Sequence, residues 1–358
     1  MPSLKEIKGR INSISSTLAI TSAMKMVAAA KLQKAQMAIQ NMLPYERRLH
    51  SMLIDLMGAM NISAAASEDG SVRGSGSAER GFDQSGDRLS LSNRHDLAGM
   101  DGAYSLMAQR EVRKVAIVAF ASNSSLCGAF NSNVIREATA VINEYRASGL
   151  GDADITVYSV GRKMAEAMKK LGFPSPADFT KMSDSPSYDA ASALAQELFD
   201  GFVSGRFDKV ELVYNHYKST SSQPTTRQTY LPLSLADATA DLQAGKITDS
   251  ASETDTNKVA EPVGAPVVRQ GSPTTEDLIV EPSKEALIAT LLPKVIRLRI
   301  FTTLLDSAAA EHAARTVAMQ LATDNGNDLL QELTLEYNKG RQQKITSEIL
   351  DLVGGSMQ

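Results

Sequence analysis

Residues 4–18 read LKEIKGRINSISSTL, and their apolar positions recur at alternating spacings of three and four residues. The same spacing resumes after residue 23 and continues to residue 60. This pattern is typical of a coiled-coil seam, and the gap between Leu18 and Met24 predicts a slip in its register. One helix over residues 3–60 would be about 85 Å long at 1.5 Å per residue, too long for one small domain to bury. The predicted seam residues are Leu4, Ile7, Ile11, Ile14, Leu18, Met24, Ala28, Leu32, Ala35, Ile39, Met42, Leu49, Leu53, Leu56 and Met60.

The carboxyl-terminal segment, residues 284–358, repeats the design of the amino-terminal segment, residues 1–60. Pro293 suits the first turn of a helix, Gly326 and Gly340 are tolerated interior glycines, and Gly354-Gly355 follows the predicted end. Two long helices at opposite ends of a chain pair antiparallel only when a compact middle returns the chain. The predicted seam residues here are Leu292, Ile296, Ile300, Leu304, Ala308, Val317, Leu321, Leu329, Leu333, Tyr337, Ile345, Ile349 and Leu352.

Residues 111–235 have the pattern of a compact α/β domain. Short apolar runs at 115–120, 155–160 and 210–214 alternate with helical stretches at 131–146, 163–171 and 189–203. Strands that alternate with helices favour βαβ units on a mostly parallel sheet. Residues 226–233 are a candidate for one further strand. We therefore predict an α/β fold in which a Rossmann-like domain joins the two halves of a long antiparallel coiled coil.

Two segments fit neither pattern and are predicted to be insertions. Residues 61–110 are rich in Ser, Gly and Asp, and residues 236–283 carry 9 acidic against 3 basic residues. Such compositions bury too little apolar surface to offset the chain entropy lost on folding.

Composition narrows the class of protein. The 358 residues include 37 Lys+Arg and 41 Asp+Glu, a net charge of −4, so no global basic field points to nucleic acid. The single cysteine excludes an internal disulfide. No apolar run reaches the roughly 18–20 residues that span a bilayer. Serine, threonine and Lys25 interrupt the apolar stretch 11–26, which argues against a secretory signal peptide.

The residues that usually carry chemistry are not arranged for it. The turn after the first strand, residues 122–128, reads SNSSLCG and has neither the Rossmann glycines nor a P-loop, so we expect no bound nucleotide or other cofactor. The four histidines are isolated in the sequence, which predicts no metal site. Cys127 is either a small buried residue or a thiolate nucleophile, and the buried role is favoured.

Residues 1–35 carry six basic residues against one acidic residue, a local charge of +5. Two interpretations stay open. The charges form either a solvated helix face or a stripe that guides the chain past acidic loops of a partner.

Three separated stretches carry a resemblance to one family. Residues 20–32 (ITSAMKMVAAAKL) closely resemble the start of the gamma subunit of rotary F-type ATP synthases. Residues 314–326 (ARTVAMQLATDNG) and 336–342 (EYNKGRQ), continuing through 345–348 (ITSE), resemble its carboxyl-terminal end. Residues 126–131 (LCGAFN) resemble its middle. The likeness is in the right order and spans the chain except the two insertions.

The resemblance implies a central rotor shaft without catalytic activity of its own. In the family the paired terminal helices enter a ring of three alpha and three beta subunits, and the α/β domain rests with the epsilon subunit on the c-ring. The chain would couple c-ring rotation to the catalytic beta subunits and would associate with the membrane through the complex only. Its implied partner-contact residues are Met24, Lys25, Arg315, Arg341, Gln342 and Thr346.

Some positions depart from the family. Asn123-Ser124-Ser125 replaces the acidic-basic-glycine turn that is usual in the family, so the contacts that the family makes through this turn of the α/β domain are not carried over to this chain. Ser347 stands where alanine is usual, and one cysteine allows no plant-type disulfide switch.

Two functions other than a rotor shaft remain as alternatives. An elongated coiled-coil tether with an α/β head predicts a homodimer through the seam, and an α/β enzyme predicts turnover by the isolated chain. The expected location is the cytoplasmic side of a bacterial inner membrane, with the matrix side of the mitochondrial inner membrane as the less favoured option.

Overall fold

The computed structural model describes residues 3–68, 110–233 and 284–356. Of the first predicted insertion, residues 61–68 continue the first helix and 69–109 lie outside the described residues, as does all of 236–283. The helices are α1 (Leu4–Glu68), α2 (Phe130–Ala147), α3 (Arg162–Lys170), α4 (Thr180–Asp184), α5 (Tyr188–Val203) and α6 (Lys284–Ser356). The strands are β1 (Val115–Phe120), β2 (Ile155–Val160), β3 (Lys209–Asn215) and β4 (Thr225–Leu231).

The four strands form one sheet in the order β2-β1-β3-β4. Strand β1 pairs parallel with both β2 and β3, and β4 closes the edge antiparallel to β3. The candidate strand at 226–233 is thus present as β4. All six residues of β1 are buried, as expected of a central parallel strand that is covered on both faces. The predicted α/β class with a mostly parallel sheet is confirmed.

Side chains alternate between the two faces of the sheet, and each face has its own core. Val115, Ile117 and Ala119 of β1 pack with α2 and α3 on one face. Ala116, Val118 and Phe120 pack on the other face with α5, α6 and the distal part of α1. The terminal helices therefore share one continuous core with the domain, and this fixes where they leave it.

The amino-terminal part of α6 packs on the sheet of the domain and on α1 at the same time. Leu292, Ile296 and Ile300 pack against the sheet and are at most 1% exposed. Leu49 and Leu53 of α1 belong to the same cluster. The hydroxyl of Tyr230 in β4 donates a hydrogen bond to the carbonyl of Ile296 at 2.9 Å.

The prediction that Pro293 lies in a first turn was wrong. The proline is inside α6, because the helix begins at Lys284. Proline removes one backbone hydrogen bond from a helix interior. Ile288 and Leu292 are 1% and 0% exposed, and their burial holds the turn before the proline in a helix.

The coiled coil keeps one register beyond Leu18, so the predicted slip is absent. Thr21 occupies the seam position, and its hydroxyl accepts a hydrogen bond from the Thr323 hydroxyl at 3.0 Å. From Thr21 the spacing of three and four residues continues through Lys25 to the buried Ala28 and Leu32. The sequence concealed the register because two threonines face each other where apolar residues were expected.

Two leucines predicted in the α6 seam face solvent instead. Leu321 is 58% exposed and Leu329 is 50% exposed. The seam passes through Met319, Thr323 and Gly326, and a Cβ added at Gly326 would lie 2.6 Å from Leu18 Cδ2. Glycine at this position lets the two helices approach closely.

Helix α6 extends beyond the beginning of α1. Gly340 packs beside Leu4, so residues 341–356 continue for about 24 Å with no residue of α1 opposite them. Residues 341–350 are all exposed. Ile345, Ile349 and Leu352, predicted to lie in the seam, are 47%, 54% and 74% exposed for this reason.

Candidate partner-binding surface of the shaft

The shaft, which is the paired part of α1 and α6 together with the α6 overhang, presents large apolar side chains to solvent. Residues of this kind rarely stay exposed in a contiguous patch unless a partner covers them. They occur on both helices and continue along the overhang. They are Ile20, Met26, Val27 and Met37 on α1, and Leu321, Leu329, Leu335, Ile345, Ile349, Leu350, Leu352 and Val353 on α6.

Three of the six predicted contact residues lie together on the α6 overhang. Arg341, Gln342 and Thr346 are all exposed. The Thr346 hydroxyl donates a hydrogen bond to the backbone carbonyl of Gln342 at 2.9 Å. Their guanidinium and amide groups are available to hydrogen-bond a partner.

Met24 and Lys25 lie on the paired part of the shaft, close to Thr21, which faces Thr323 and so lies 18 residues of α6 before Arg341. Both are half-buried at the side of the seam, next to the exposed Ile20, Met26 and Val27. The structure therefore separates these predicted contacts into one group on the α6 overhang, which is the tip of the shaft, and one group on its paired part.

Arg315 is engaged within the chain. One guanidinium nitrogen lies 2.8 Å from Glu311 Oε1, and another donates to the Ser124 hydroxyl at 2.7 Å. The side chains of Arg315 and Glu311 are only 11% and 9% exposed. Arg315 thus ties α6 to the turn between β1 and α2, a contact that sequence reasoning did not predict.

The turn between β1 and α2 is held by its own polar side chains and packs on α6. Asn123 donates to the Thr180 carbonyl at 2.7 Å and accepts from the Arg162 backbone nitrogen at 2.8 Å. Cys127 is 2% exposed and packs with Phe130, Ala310 and Ala314, so the favoured buried role is confirmed. Helix α6 covers the carboxyl edge of the sheet, where nucleotide-binding relatives of this fold hold phosphate.

Two titratable groups of α6 are shifted by burial at this junction. Burial raises the pKa of the Glu311 carboxyl despite the opposing effect of Arg315. Burial, with the Arg315 and Lys31 charges, lowers the pKa of His312 to about 4, so the imidazole is neutral near neutral pH. A neutral ring is compatible with its buried Nδ1, which has no hydrogen-bond partner among the described residues.

A second junction joins the foot, residues 110–233, to both helices, and the sequence did not reveal it. His216 Nδ1 lies 2.6 Å from Asp306 Oδ2, and the Tyr217 backbone nitrogen donates to Asp306 Oδ1 at 2.9 Å. Gln36 of α1 donates to the Tyr217 hydroxyl at 2.6 Å. Two features of the sequence could have indicated this junction. His216 and Tyr217 follow β3 directly, and Asp306 is an acidic residue in a mostly apolar stretch of α6.

Charge is divided between the two helices of the shaft. Lys5, Lys8, Arg10, Lys31 and Lys34 are exposed on α1. Asp324, Asp328, Glu332 and Glu336 are exposed on α6 at four-residue spacing, which places them on one side of that helix. Over the stretch where these residues lie, α1 is therefore mainly positive and α6 mainly negative.

The described part of the chain contains neither a metal site nor a membrane-crossing helix. Within 3–68, 110–233 and 284–356, no three His, Cys, Asp or Glu side chains come together as a metal site. Over the same ranges, no helix has the length and hydropathy needed to cross a bilayer.

Fold and surface together define an elongated stalk protein, in which an antiparallel coiled coil leaves an α/β foot and presents exposed apolar and charged side chains. The family model described as ATP synthase matches residues 3–357. The chain belongs to the family of ATP synthase gamma chains.

Individual relatives cover the whole chain. It is 47% identical over 357 residues to the ATP synthase gamma chain of Phocaeicola vulgatus, with 100% of both chains covered. It is 45% identical over 358 residues to that of Bacteroides thetaiotaomicron, again with 100% of both covered. With the gamma chain of Flavobacterium psychrophilum it shares 35% identity over 356 residues, covering 99% of this chain and 98% of the other.

Solved structures share the fold. A chain of the Euglena gracilis mitochondrial ATP synthase, from a structure of OSCP, F1 and the c-ring, matches with a TM-score of 0.52 at 18% identity, covering 99% of this chain and 93% of that chain. A chain from the rotor of the same enzyme matches with a TM-score of 0.50 at 18% identity, covering 96% and 98%. These two matches show that the chain shares its fold with those chains.

Proposed function

We propose that this chain is the rotating shaft that couples the c-ring of a proton-translocating ATP synthase to conformational change in the catalytic beta subunits. The shaft would stand inside a ring of three alpha and three beta subunits. The foot would rest with the epsilon subunit on the c-ring. The chain itself would catalyse no reaction, and its contribution would be mechanical.

The observation that carries this proposal is the pairing of the two chain ends into one shaft with a free tip. Thr21 faces Thr323, Leu18 faces Gly326 and Leu4 faces Gly340, so the helices run antiparallel with a constant offset. The apolar seam is filled within a single chain. A tether that dimerised through this seam would need it to be open, so the tether interpretation loses its main support.

The uneven surface of the shaft supports an angle-dependent interaction with a surrounding ring. Exposed basic residues predominate on α1, the acidic row Asp324, Asp328, Glu332 and Glu336 lies on α6, and the exposed apolar residues add a further difference between sides. As such a shaft turns, each beta subunit meets a different surface. Moving a site from 1:99 to 99:1 between two states takes about 5.5 kcal/mol of differential contact energy.

The proposed contacts follow the two groups seen on the shaft. Met24 and Lys25 would pass the lever of a beta subunit, and Arg341, Gln342 and Thr346 would touch the ring near its catch loop. Arg315 would reach the ring only by giving up bonds to Glu311 and Ser124, so its main role is proposed to be within the chain.

The location follows from the proposed assembly. The chain would be a peripheral protein on the cytoplasmic side of a bacterial inner membrane and would be attached through the complex only. Washing inverted vesicles under conditions that release the catalytic ring should release this chain together with it. Retention of the chain after complete removal of the ring and epsilon subunit would contradict this attachment.

The test uses the assembled complex and proton-driven ATP synthesis. We expect Arg341→Ala with Gln342→Ala to weaken coupling or assembly, because both exposed groups would lose their ring contacts. The matched control is Arg136→Ala with Asn133→Ala on the surface of α2, where the two side chains lie 3.5 Å apart. Normal synthesis by the tip variant would contradict the contact assignment.

Native mass spectrometry separates the remaining functions. One copy of the chain with three alpha and three beta subunits is the result expected of a rotor shaft. A homodimer without the ring would favour a tether, and saturable turnover by the isolated chain would revive the enzyme interpretation.

A further inference from the structure

The foot grips α6 at two places where the shaft leaves the carboxyl edge of the sheet. Together these contacts are called the neck clamp, which consists of Gln36, Ser124, His216, Tyr217, Asp306, Glu311 and Arg315. One half joins the turn after β3 to both shaft helices through Tyr217 and Asp306. The other half joins the turn after β1 to α6 through Ser124 and Arg315.

The two halves hold α6 from opposite sides. Asp306 and Arg315 are nine residues apart, which is about two and a half turns of an α-helix. Their side chains therefore leave α6 half a turn apart in azimuth. Contacts on opposite sides of a rod resist its rotation as a pair of opposed forces, whereas contacts on one side let it pivot.

Tyr217 is also wedged between the two shaft helices. It packs against the cluster of Leu32, Ala309 and Ala313 and also against the cluster of Cys127, Phe130, Ala310 and Ala314. Its hydroxyl accepts the hydrogen bond from Gln36 of α1. One foot residue therefore contacts both helices, and a twist of either helix against the foot would break a directional bond.

The polar bonds of the neck clamp add resistance to rotation of α6 against the foot. Most of the packing of α6 on the foot before Asp306 is apolar and non-directional, with the hydrogen bonds of Tyr230 to Ile296 and of Arg297 to Gln196 as exceptions, so it opposes separation more than rotation in place. The short bonds of the neck clamp have fixed geometry, and Asp306 and Arg315 are mostly shielded, with side-chain exposures of 17% and 11%.

From this geometry we infer that the neck clamp sets the rotational register between foot and shaft and transmits torque between them. The inference rests on the proposed rotary function and adds the place where the torque passes. Ser124, Tyr217 and Asp306 are positioning residues in this account. They act on the reaction only through the angle at which the shaft meets its surroundings.

The experiment measures torsional stiffness in the whole complex. The catalytic ring is fixed to a surface, a probe is attached to the foot, and its angular fluctuation is recorded while the motor is paused. The main variant is Ser124→Ala with Tyr217→Phe, which removes one hydroxyl from each half of the clamp and keeps the aromatic packing. Asp306→Asn is a second variant that weakens the contact with His216.

We expect both clamp variants to lose stiffness and show broader angular fluctuation than the unaltered complex. The matched control is Asp152→Asn, which weakens an exposed bidentate pair with Arg146 at 2.6 Å, near the amino edge of the sheet and away from the neck. The control should keep full stiffness.

Wild-type stiffness in the hydroxyl variant would overturn the inference. Failure of that variant to assemble would overturn it too, because the contacts would then serve folding. An unaltered complex that hydrolyses ATP without rotation of the foot would instead refute the proposed function itself, so the two failures are distinguishable.

Discussion

At the scale of single residues, Gly326 is a seam residue of the coiled coil although it has no side chain. A Cβ at this position would lie 2.6 Å from Leu18 Cδ2 and 3.2 Å from Leu18 Cγ. Gly9 in α1 is the natural comparison, because nothing lies within 4 Å of a Cβ added there. Close packing of the two helices therefore requires glycine at position 326, whereas no packing contact requires it at position 9.

We predict that Gly326→Leu destabilises the coiled coil by about 1–3 kcal/mol, because the extra atoms overpack the seam. Gly9→Ala should instead stabilise it by about 0.5–1 kcal/mol through helix propensity. Urea unfolding followed by circular dichroism measures both. Equal effects of the two substitutions would contradict the close packing of Leu18 on Gly326.

The His216 and Asp306 pair makes stability depend on pH. The hydrogen bond to Asp306 raises the pKa of His216, so the contribution is fully present below the unfolded pKa of about 6.5 and is lost as pH rises through the folded pKa. We predict that wild type loses its stability advantage over His216→Gln between mildly acidic and alkaline pH.

That advantage should be about 1 kcal/mol or less, because the His216 side chain is 45% exposed and solvent screens the pair. Lys218 on the same turn opposes protonation, and Gln36 from α1 contributes no charge. Unfolding free energies at several pH values check the sign. An advantage that grows with pH would contradict it.

At the scale of elements, β3 and β4 are joined by a buried ionic network. The Glu211 side chain is 2% exposed and lies 2.7 Å from both Arg227 Nε and Lys209 Nζ, and the Tyr145 hydroxyl donates to it at 2.6 Å. Burial alone would raise the pKa of Glu211, but the bonds from Arg227, Lys209 and Tyr145 outweigh burial and lower it. The carboxylate therefore stays charged inside the domain.

We predict that Arg227→Met destabilises the foot by about 1.5–3 kcal/mol, since it removes charged hydrogen bonds from a buried carboxylate. Arg113→Met is the matched control, because Arg113 pairs with Glu111 at the surface, where both side chains are 77% exposed. Its effect should stay within about 0.5 kcal/mol. Comparable losses in the two variants would contradict the importance of burial.

The overhang of α6 should matter for partners and not for folding. Residues 341–350 are all exposed, so deleting 341–358 should leave the melting temperature of the isolated chain unchanged. The same deletion should lower proton-driven ATP synthesis by the complex. A lower melting temperature of the truncated chain would show that the overhang packs on the rest of the protein.

The spacing of apolar residues predicted the elements well but not which of them pair. It predicted both long helices, the βαβ pattern and the strand that became β4. It missed Thr21, Thr323 and Gly326 as seam residues. A seam position is defined by the residue that faces it on the other helix, and hydropathy alone does not reveal that residue. It also placed Ile345 and Ile349 in a seam, since nothing in the sequence of α6 shows where α1 begins opposite it.

At the scale of the whole molecule, the resemblance carried more than the residue pattern did. The motifs at 20–32 and 314–326 indicated the family, and the comparisons with known proteins confirm it over residues 3–357. The neck clamp was beyond prediction from sequence, because Gln36, Tyr217 and Asp306 are far apart in the chain and meet only once the foot has folded. The role of the six residues named as partner contacts stays a prediction.

The account requires α1 and α6 to turn as one body. Thr21→Cys with Thr323→Cys places two thiols where the hydroxyl oxygens lie 3.0 Å apart, and the natural Cys127 is buried and far from solvent. A disulfide between these positions joins the two helices in the middle of the shaft. It leaves the foot and the tip unaltered.

The most direct measurement is rotation of a probe on the foot of this oxidised variant, in a complex whose catalytic ring is fixed and supplied with ATP. We predict continuous rotation in one direction at the rate of the reduced variant, because the linked helices already move together. Rotation that stops on oxidation and returns on reduction would show that the two helices move against each other, and it would contradict a single shaft.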